Sequence, residues 1–444
     1  MKTKILAIIA LVAFSFSGSS QKKWSLQESV NYALENNISI KQSTLNIESI
    51  QEDVTAGKWS FYPSLNASTS ANMNFGSLID PVSNGRISSS TFSNSYGLSS
   101  GVTIFNGFRL LNSYKLTKLG IESSKLDLQK IKDDISLNVV NSYLNILFAK
   151  ENLGVAKVQA EISKNQIDLI QKQVDAGTKV KGELLNVQSS YARDIQNITS
   201  LENTLNIALL QLAQVLQVDP TNFDVSIIEI DTPTASLMLN DPTEIYKKAV
   251  ANRPEILKEK LNVSQSELNI AIAKSGFLPS VSASASAGSN YGHRFADLFA
   301  GSNDYFFKQL NDNFGYGFGV SVNIPIFNKY QTKASVNKSF INKERSELNL
   351  ESAKLSLQQT IQRAFLDAKA ALKSYEASKK SLEAQREAFK NAQDRYKFEA
   401  MTLFDFDQVR SRLVSAESEL IRSKYDYVFK SKVLKFYNGE SIID

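Results

Sequence analysis

From Ile326 to Asn438 the chain runs for 113 residues without a single proline or glycine, and no proline occurs between Val82 and Asp219. Both residues are disfavoured inside helices, proline because it lacks the donor and clashes with the preceding turn, glycine because of its backbone entropy. Silence on this scale restricts the fold to helices far longer than the usual 11 or 12 residues. The apolar spacing agrees. Val187, Tyr191, Ile195, Ile198, Leu201, Leu205, Leu209, Leu212 and Leu216 recur every three or four residues, as do Val409, Leu413, Ala416 and Leu420 and then Ile421, Tyr425 and Val428. Each set forms one stripe on a helix, the seam of coiled-coil packing. At about 1.5 Å per residue, the stretches 106–174 and 328–398 predict rods about 100 Å long. They are followed by turns at 174–185 (VDAGTKVKGELL) and 396–407 (YKFEAMTLFDFD).

Between the rods the period changes to two. Odd positions from Leu65 to Phe75 read Leu, Ala, Thr, Ala, Met, Phe, while the even positions 64–74 are all Ser or Asn. Val281, Ala283, Ala285 and Ala287 alternate with serines in the same way, and the returning segments Tyr96–Ile104 and Tyr316–Ile326 alternate too. These predict two hairpins, 64–105 and 280–327, with strands of about 10 to 13 residues, long enough for tilted spans of a membrane. Polar loops are expected at 76–93 and 292–312. A repeated phrase introduces both hairpins: KWSFYPSLNAS at 58–68 and KSGFLPSVSAS at 274–284. The residue before a proline is pushed to an extended conformation, so a helix must stop before Pro63 and before Pro279. Trp59, Phe61, Tyr62 and Phe277 sit at these junctions, where aromatic side chains favour the boundary between lipid and water.

The remaining composition excludes more than it includes. Lys2 and Lys4 precede an apolar run, Ile5 to Phe16, and a small-residue stretch, Ser17 to Ser20, which together read as a secretory signal at 1–20. No later stretch reaches the roughly 18 apolar residues of a membrane helix, so entry into a membrane would have to be through strands. Fifty Lys and Arg against 45 Asp and Glu give no reason to expect a nucleic-acid partner. Zero cysteines rule out disulfides and a lipidated N-terminal Cys, and with a single histidine there is little with which to build a zinc or copper site. No nucleophile and base pair stands out, so the chain reads as a non-enzyme without cofactors. GTKVKGEL, from Gly177, has the glycines of a phosphate loop but Glu183 and Leu184 where Lys and Ser or Thr belong, and reads as a turn. His293 and the acids Asp297, Asp304 and Asp312 are expected in a solvated hairpin loop, at spacings that match no calcium template.

The chain thus divides into a first repeat at 21–217 and a second at 242–444, each running helix, hairpin, very long helix, turn and helix, with a connector at 218–241. Four strands cannot close in lipid, where every backbone donor and acceptor must be satisfied. Eight strands from two copies would give a barrel filled by side chains, and twelve from three would leave a lumen.

Order and repetition together carry a resemblance. WSLQESVNYALENN is answered by DPTEIYKKAVANRPEI, the two F-x-P-S junctions by each other, and VTIFNGF by VNIPIFNKY, before the closing AESELIRSKYDYVFKSKVLKFYNG. In this the mature chain resembles the TolC-like outer membrane efflux proteins. The resemblance implies an α+β membrane protein with four transmembrane strands per chain. It would assemble as a homotrimer, forming a twelve-stranded barrel in outer membrane lipid, continued into the periplasm by a helical barrel of a Gram-negative cell. It further implies an exit duct served by an inner-membrane pump and a periplasmic adaptor. Export of a protein through a type I system and, in a different class, a non-conducting periplasmic coiled-coil protein are the alternatives.

By position, the resemblance places Gly177 on the family's turn glycine, with Glu399 at the matching site of the second repeat. It places Tyr396 on a tyrosine that bonds an acid of the neighbouring helix pair, Glu183 on that acid, and Asp405 on a constriction-ring aspartate. The second ring aspartate is replaced by Gln408 and a latch arginine by Met401. Gly177, Thr178, Gly182, Met401 and Thr402 mark the turns an adaptor would contact. Three Asp405 carboxylates around an axis would attract cations. The competing reading makes Asp405 and Glu183 first-turn residues that stabilise helix N-termini, and Asp407, two residues on, cannot share Asp405's helix face.

Overall fold

The computed structural model describes residues 23–79, 84, 86–228, 241–295, 304–398 and 400–442. The signal segment, Glu399, Asp297 and half of the connector, 229–240, lie outside them. Nine α-helices, one short 3-10 helix (Ser275–Phe277) and six strands occur among the described residues. In chain order these are β1 (Lys23–Trp24), α1 (Leu26–Asn36), α2 (Ile38–Trp59), β2 (Ser64–Ile79), β3 (Arg86–Asn106), α3 (Arg109–Asp175), α4 (Lys181–Leu216) and β4 (Asp224–Val225). The second half continues with α5 (Pro242–Asn252), α6 (Pro254–Lys274), β5 (Ser280–Arg294), α7 (Phe306–Asp312), β6 (Gly315–Asn323), α8 (Gln331–Lys397) and α9 (Leu403–Tyr437).

α3 and α8 are each 67 residues long. Their starts and those of the shorter helices are set by local chemistry. Ser25 and Glu28 form a reciprocal capping box at α1, and Asp241 caps α5 with Pro242 at its first position. The chain forms two compact units that cut across the two sequence repeats.

The first unit, Met1–Leu45, Leu126–Leu257 and Glu351–Asp444, is helical. Its principal core gathers Val30, Val139, Tyr143, Leu147, Leu212 and Leu216, all essentially without exposed surface, with Tyr425 and Val428 from α9. A short parallel pairing of β1 with β4 borders this core, with Lys23 opposite Asp224 and Trp24 opposite Val225. The fully buried Tyr143 hydroxyl donates to Ser226 O at 2.7 Å and to Trp24 O at 3.1 Å. Lys150 pairs with Asp224. Elsewhere in the unit Arg253 is held by Asp133, Glu255 and the face of Phe436.

The second unit, Asn46–Lys125 and Lys258–Leu350, holds a four-stranded antiparallel sheet in the order β2-β3-β5-β6. β3 pairs with β5, so the two hairpins fuse into one sheet, while β2 and β6 each keep one unpaired edge. The faces differ sharply. Every second residue along 64–74, 93–101, 282–292 and 315–323 is Ser, Asn or Gly, and the registers place them all on one face. The other face carries Leu65, Met73, Phe75, Phe92, Tyr96, Leu98, the alanines of β5, and Tyr316, Phe318, Val320 and Val322.

The hairpins differ from the sequence pattern in four ways. Within the stretch 76–93, expected as a loop, residues 76–79 and 86–93 are strand, with Gly76 opposite Ser89 and Ile79 opposite Arg86. Serine and glycine are poor strand formers in isolation, and here the cross-strand ladder overrides them. His293 lies in β5 opposite Phe92, not in a loop. Within the expected loop at 292–312, Phe306–Asp312 forms α7, and Lys308 bridges Asp304 and Asp312. β6 ends at Asn323, short of the expected Ile326, because Pro325 has no N–H for the ladder.

At the sheet's other end Trp59, Phe61, Tyr62 and Phe277 are all exposed. Trp59 lies 5.0 Å from Tyr62, and Phe61 meets Tyr114 edge-on at 5.9 Å. The switch from β3 to α3 is made by Gly107 and Phe108, both left-handed at φ +65°. A Cβ on Gly107 would lie 2.8 Å from Ser275 O, so this crossing requires glycine.

Candidate functional site at the helix turns

The first turn closes α3 through a left-handed Gly177 (φ +75°), whose N–H donates to Val174 O at 2.9 Å. Thr178 satisfies the preceding carbonyls, its N–H and its hydroxyl both donating to Gln173 O at 2.9 Å. This is the left-handed helix termination in which glycine carries no Cβ penalty. α4 then starts behind Val180 without a side-chain cap, and Glu183 occupies its first turn. Gly182 lies inside α4, where a Cβ would meet nothing.

The second turn has a different chemistry. Ala400 N–H donates to Arg395 O at 2.8 Å, and Arg395 returns a bond to Ala400 O. Thr402 caps α9: it accepts from Asp405 N–H at 3.1 Å, and its hydroxyl donates to the Asp405 carboxylate at 2.7 Å. Asp405 is exposed and is engaged in the protomer as a helix-start group. Gln408 is exposed. Met401 packs with Phe389, Ala392 and Phe406.

Tyr396 joins the two turns. It stacks on Phe406 with centroids 4.9 Å apart, and it packs with Ile170, Leu184 and Val187 of the first helix pair. Burial holds its hydroxyl above the ordinary phenol range, although Gln166 and Lys179 pull the other way. No hydrogen bond joins it to Glu183. Instead Lys179 pairs with Glu183 at 2.9 Å and lies 5.5 Å from the centroid of the Tyr396 ring. A lysine four residues before the acid takes the carboxylate that the resemblance assigned to the tyrosine. Beside these groups a groove of about 470 Å³ is lined by Ile162, Leu169, Gln173, Lys179, Tyr396 and Phe406.

A buried polar tie between the two helix pairs lies one to two turns further along α9. Arg410, 6% exposed, donates to Ser163 Oγ on α3 at 2.6 Å and pairs with Asp407 at 3.3 Å. Gln159, with its amide oxygen turned inward, accepts from the same guanidinium at 3.0 and 3.2 Å. Ser163 donates in turn to Asp194 on α4, and Ser190 of α4 donates to Asp407 at 3.2 Å. One guanidinium fork thus ties α3, α4 and α9 together. Spacing alone puts Asp407 off the face of Asp405 and assigns no role to Arg410. A signal was present: Arg410 falls four residues after Phe406 and three before Leu413, a cation on the apolar stripe.

Residues 30–217 and 245–440 match the outer membrane efflux protein family. The chain belongs to that family. Among its relatives, the outer membrane efflux protein BepC of Brucella suis is 19% identical over 447 residues, spanning 100% of this chain and 91% of that one. The toluene efflux pump outer membrane protein TtgC of Pseudomonas putida is 27% identical over 204 residues, 44% of this chain and 37% of TtgC. In the solved structures, the CmeC outer membrane channel of Campylobacter jejuni superposes with a TM-score of 0.75 at 19% identity, covering 93% of this chain and 85% of CmeC. VceC of Vibrio cholerae gives 0.76 at 12% identity, over 94% and 96%. These likenesses establish the fold, and family membership places this efflux protein in the outer membrane with its helices extending into the periplasm.

Proposed function

We propose that this efflux protein works as a homotrimer. Its twelve strands would form the outer membrane exit duct of a tripartite system, loaded by an inner-membrane pump through a periplasmic adaptor that engages the turns at 174–185 and 396–407. The observation that carries the reading is the sheet itself: two opposed faces, one apolar and one of Ser, Asn and Gly, and two open edges. An open edge in lipid leaves backbone groups unsatisfied at several kcal/mol each, so β6 of one copy must meet β2 of another. Large apolar side chains on α8, Leu348, Leu355 and Leu366, are more than half exposed and recur at seven and eleven residues, a face ready for a neighbouring copy.

The seam already present inside the chain supplies the register for the seam between copies. β3 meets β5 as Val102 opposite Ala283, Ser99 opposite Ser286 and Gly97 opposite Gly288. Matching VTIF to VNIP and the two F-x-P-S phrases carries these onto Val322 opposite Ala67, Gly319 opposite Ser70 and Gly317 opposite Asn72. In each transferred pair both residues come from the same face of the sheet. Because the chain has no cysteine, the test is direct. Gly319→Cys with Ser70→Cys should give oxidised dimers and trimers from membranes, and the purified wild type should conduct in planar bilayers. A monomer that dissolves without detergent and conducts nothing would favour the coiled-coil structural alternative and end this reading. The uncharged face lines the duct in this reading, so charge discrimination would reside in the helical part, near Asp405.

A further inference from the structure

α7 is a seven-residue helix, Phe306–Asp312, lying on the apolar face of the sheet. Phe306 inserts between Tyr291 at 5.1 Å and Tyr96 at 6.3 Å, and both belong to that face by register. Three polar links fix the helix. Ser289 Oγ donates to Leu310 O at 2.6 Å, Asn313 Nδ2 donates to Asn290 O at 2.7 Å, and Gln309 exchanges two bonds with the backbone of Gly292. Ser289 is a polar interruption of the apolar face, and α7 covers it through its bond to Leu310 O.

What α7 turns outward is aromatic. Tyr305 is 87% exposed and Phe307 80%, and the series continues along β6 through Phe314, Tyr316 and Phe318. Lys308, Asp304 and Asp312 form an ion-paired strip on another side of the same short helix. Water alone gives no reason to display so many rings together. The apolar face of the sheet must contact acyl chains, and the helices leave on the periplasmic side, so α7 lies toward the outer leaflet.

We propose that α7, with Tyr305 and Phe307, is an interfacial element that sits on the outer wall of the barrel among the lipid headgroups of the outer leaflet. There its rings enter the acyl boundary and its ion-paired strip meets water. It forms the outer counterpart of the girdle at Trp59, Phe61, Tyr62 and Phe277. The inference rests on the proposed reading of the sheet as a membrane span.

Single cysteines at Phe307→Cys, Asp312→Cys, Phe318→Cys and Ser286→Cys, each carrying a nitroxide, are reconstituted in vesicles of phosphatidylethanolamine and phosphatidylglycerol. Relaxation by oxygen, which concentrates in lipid, is compared with relaxation by a water-soluble nickel chelate. The expected result is oxygen dominance at 307 and 318 and nickel dominance at 312 and 286. If 318 reports lipid while 307 reports water as strongly as 312 does, α7 is a surface loop or a lumenal plug and the inference is overturned alone. If 318 itself reports water, the membrane reading of the sheet fails and this inference falls with it.

Discussion

Arg410 is the residue on which the turn region most depends. Its guanidinium is buried against Asp407, Ser163 and Gln159, and removing one partner of a buried charge network strands the others. Arg410→Met should cost about 3 kcal/mol, read as a lower midpoint for loss of helical circular dichroism, and Arg410→Lys roughly half of that because an ammonium cannot reproduce the planar fork. An unchanged midpoint for Arg410→Met would show that the fork holds nothing. Asp405 separates two readings by itself. As the third residue of α9, hydrogen-bonded to Thr402, it should contribute only about 0.5–1 kcal/mol. Asp405→Asn is therefore expected to melt almost normally, while the cation preference of reconstituted channels falls. If the preference is unaltered, Asp405 is a helix-end charge and no more.

At the scale of elements, the abrupt change at Gly107 can be tested on its own. The left-handed φ and the 2.8 Å approach to Ser275 O leave no room for a methyl group. Gly107→Ala should cost about 1–3 kcal/mol and reduce the yield of membrane-inserted protein; wild-type yield and midpoint would contradict the geometry. The same elements show what the sequence made legible. The long helices were plain because 67-residue stretches of α3 and α8 carry almost no breakers, and the alternation of Leu65 to Phe75 announced a strand. The continuation to Ile79 and Arg86 was hidden, because Gly, Ser and Asn that line a strand are the residues that also build loops. α7 was hidden for a different reason: its place is set by Gln309 and Asn313 bonding to distant backbone, which no local pattern encodes. The turn from Gly177 and the helix-start position of Asp405 were legible in the sequence, whereas the Thr402 cap was not. Lys179 intercepting Glu183 depended on how two helix pairs pack.

Across the whole molecule, buried phenols make the helical unit sensitive to alkali. Burial is the leading cause raising Tyr143, Tyr396, Tyr425, Tyr427 and Tyr437 above the ordinary value of 10.0. The neutral ring is favoured in the fold, so each contributes stability that is complete below the unfolded pKa and is lost as pH climbs past about 10 toward the folded value. Thermal midpoints should be flat from neutral pH upward and fall steeply above pH 10, with a shallower fall in Tyr425→Phe; an equal slope in that variant would remove Tyr425 from the account. The short pairing of Lys23–Trp24 with Asp224–Val225 has a temporal consequence. A polypeptide threaded into the periplasm from its N-terminus must hold Trp24 in waiting while some two hundred further residues emerge, so the first repeat can be finished only after the connector beyond it has begun to arrive. Nascent chains interrupted before that point are the ones on which holding chaperones and periplasmic proteases should act.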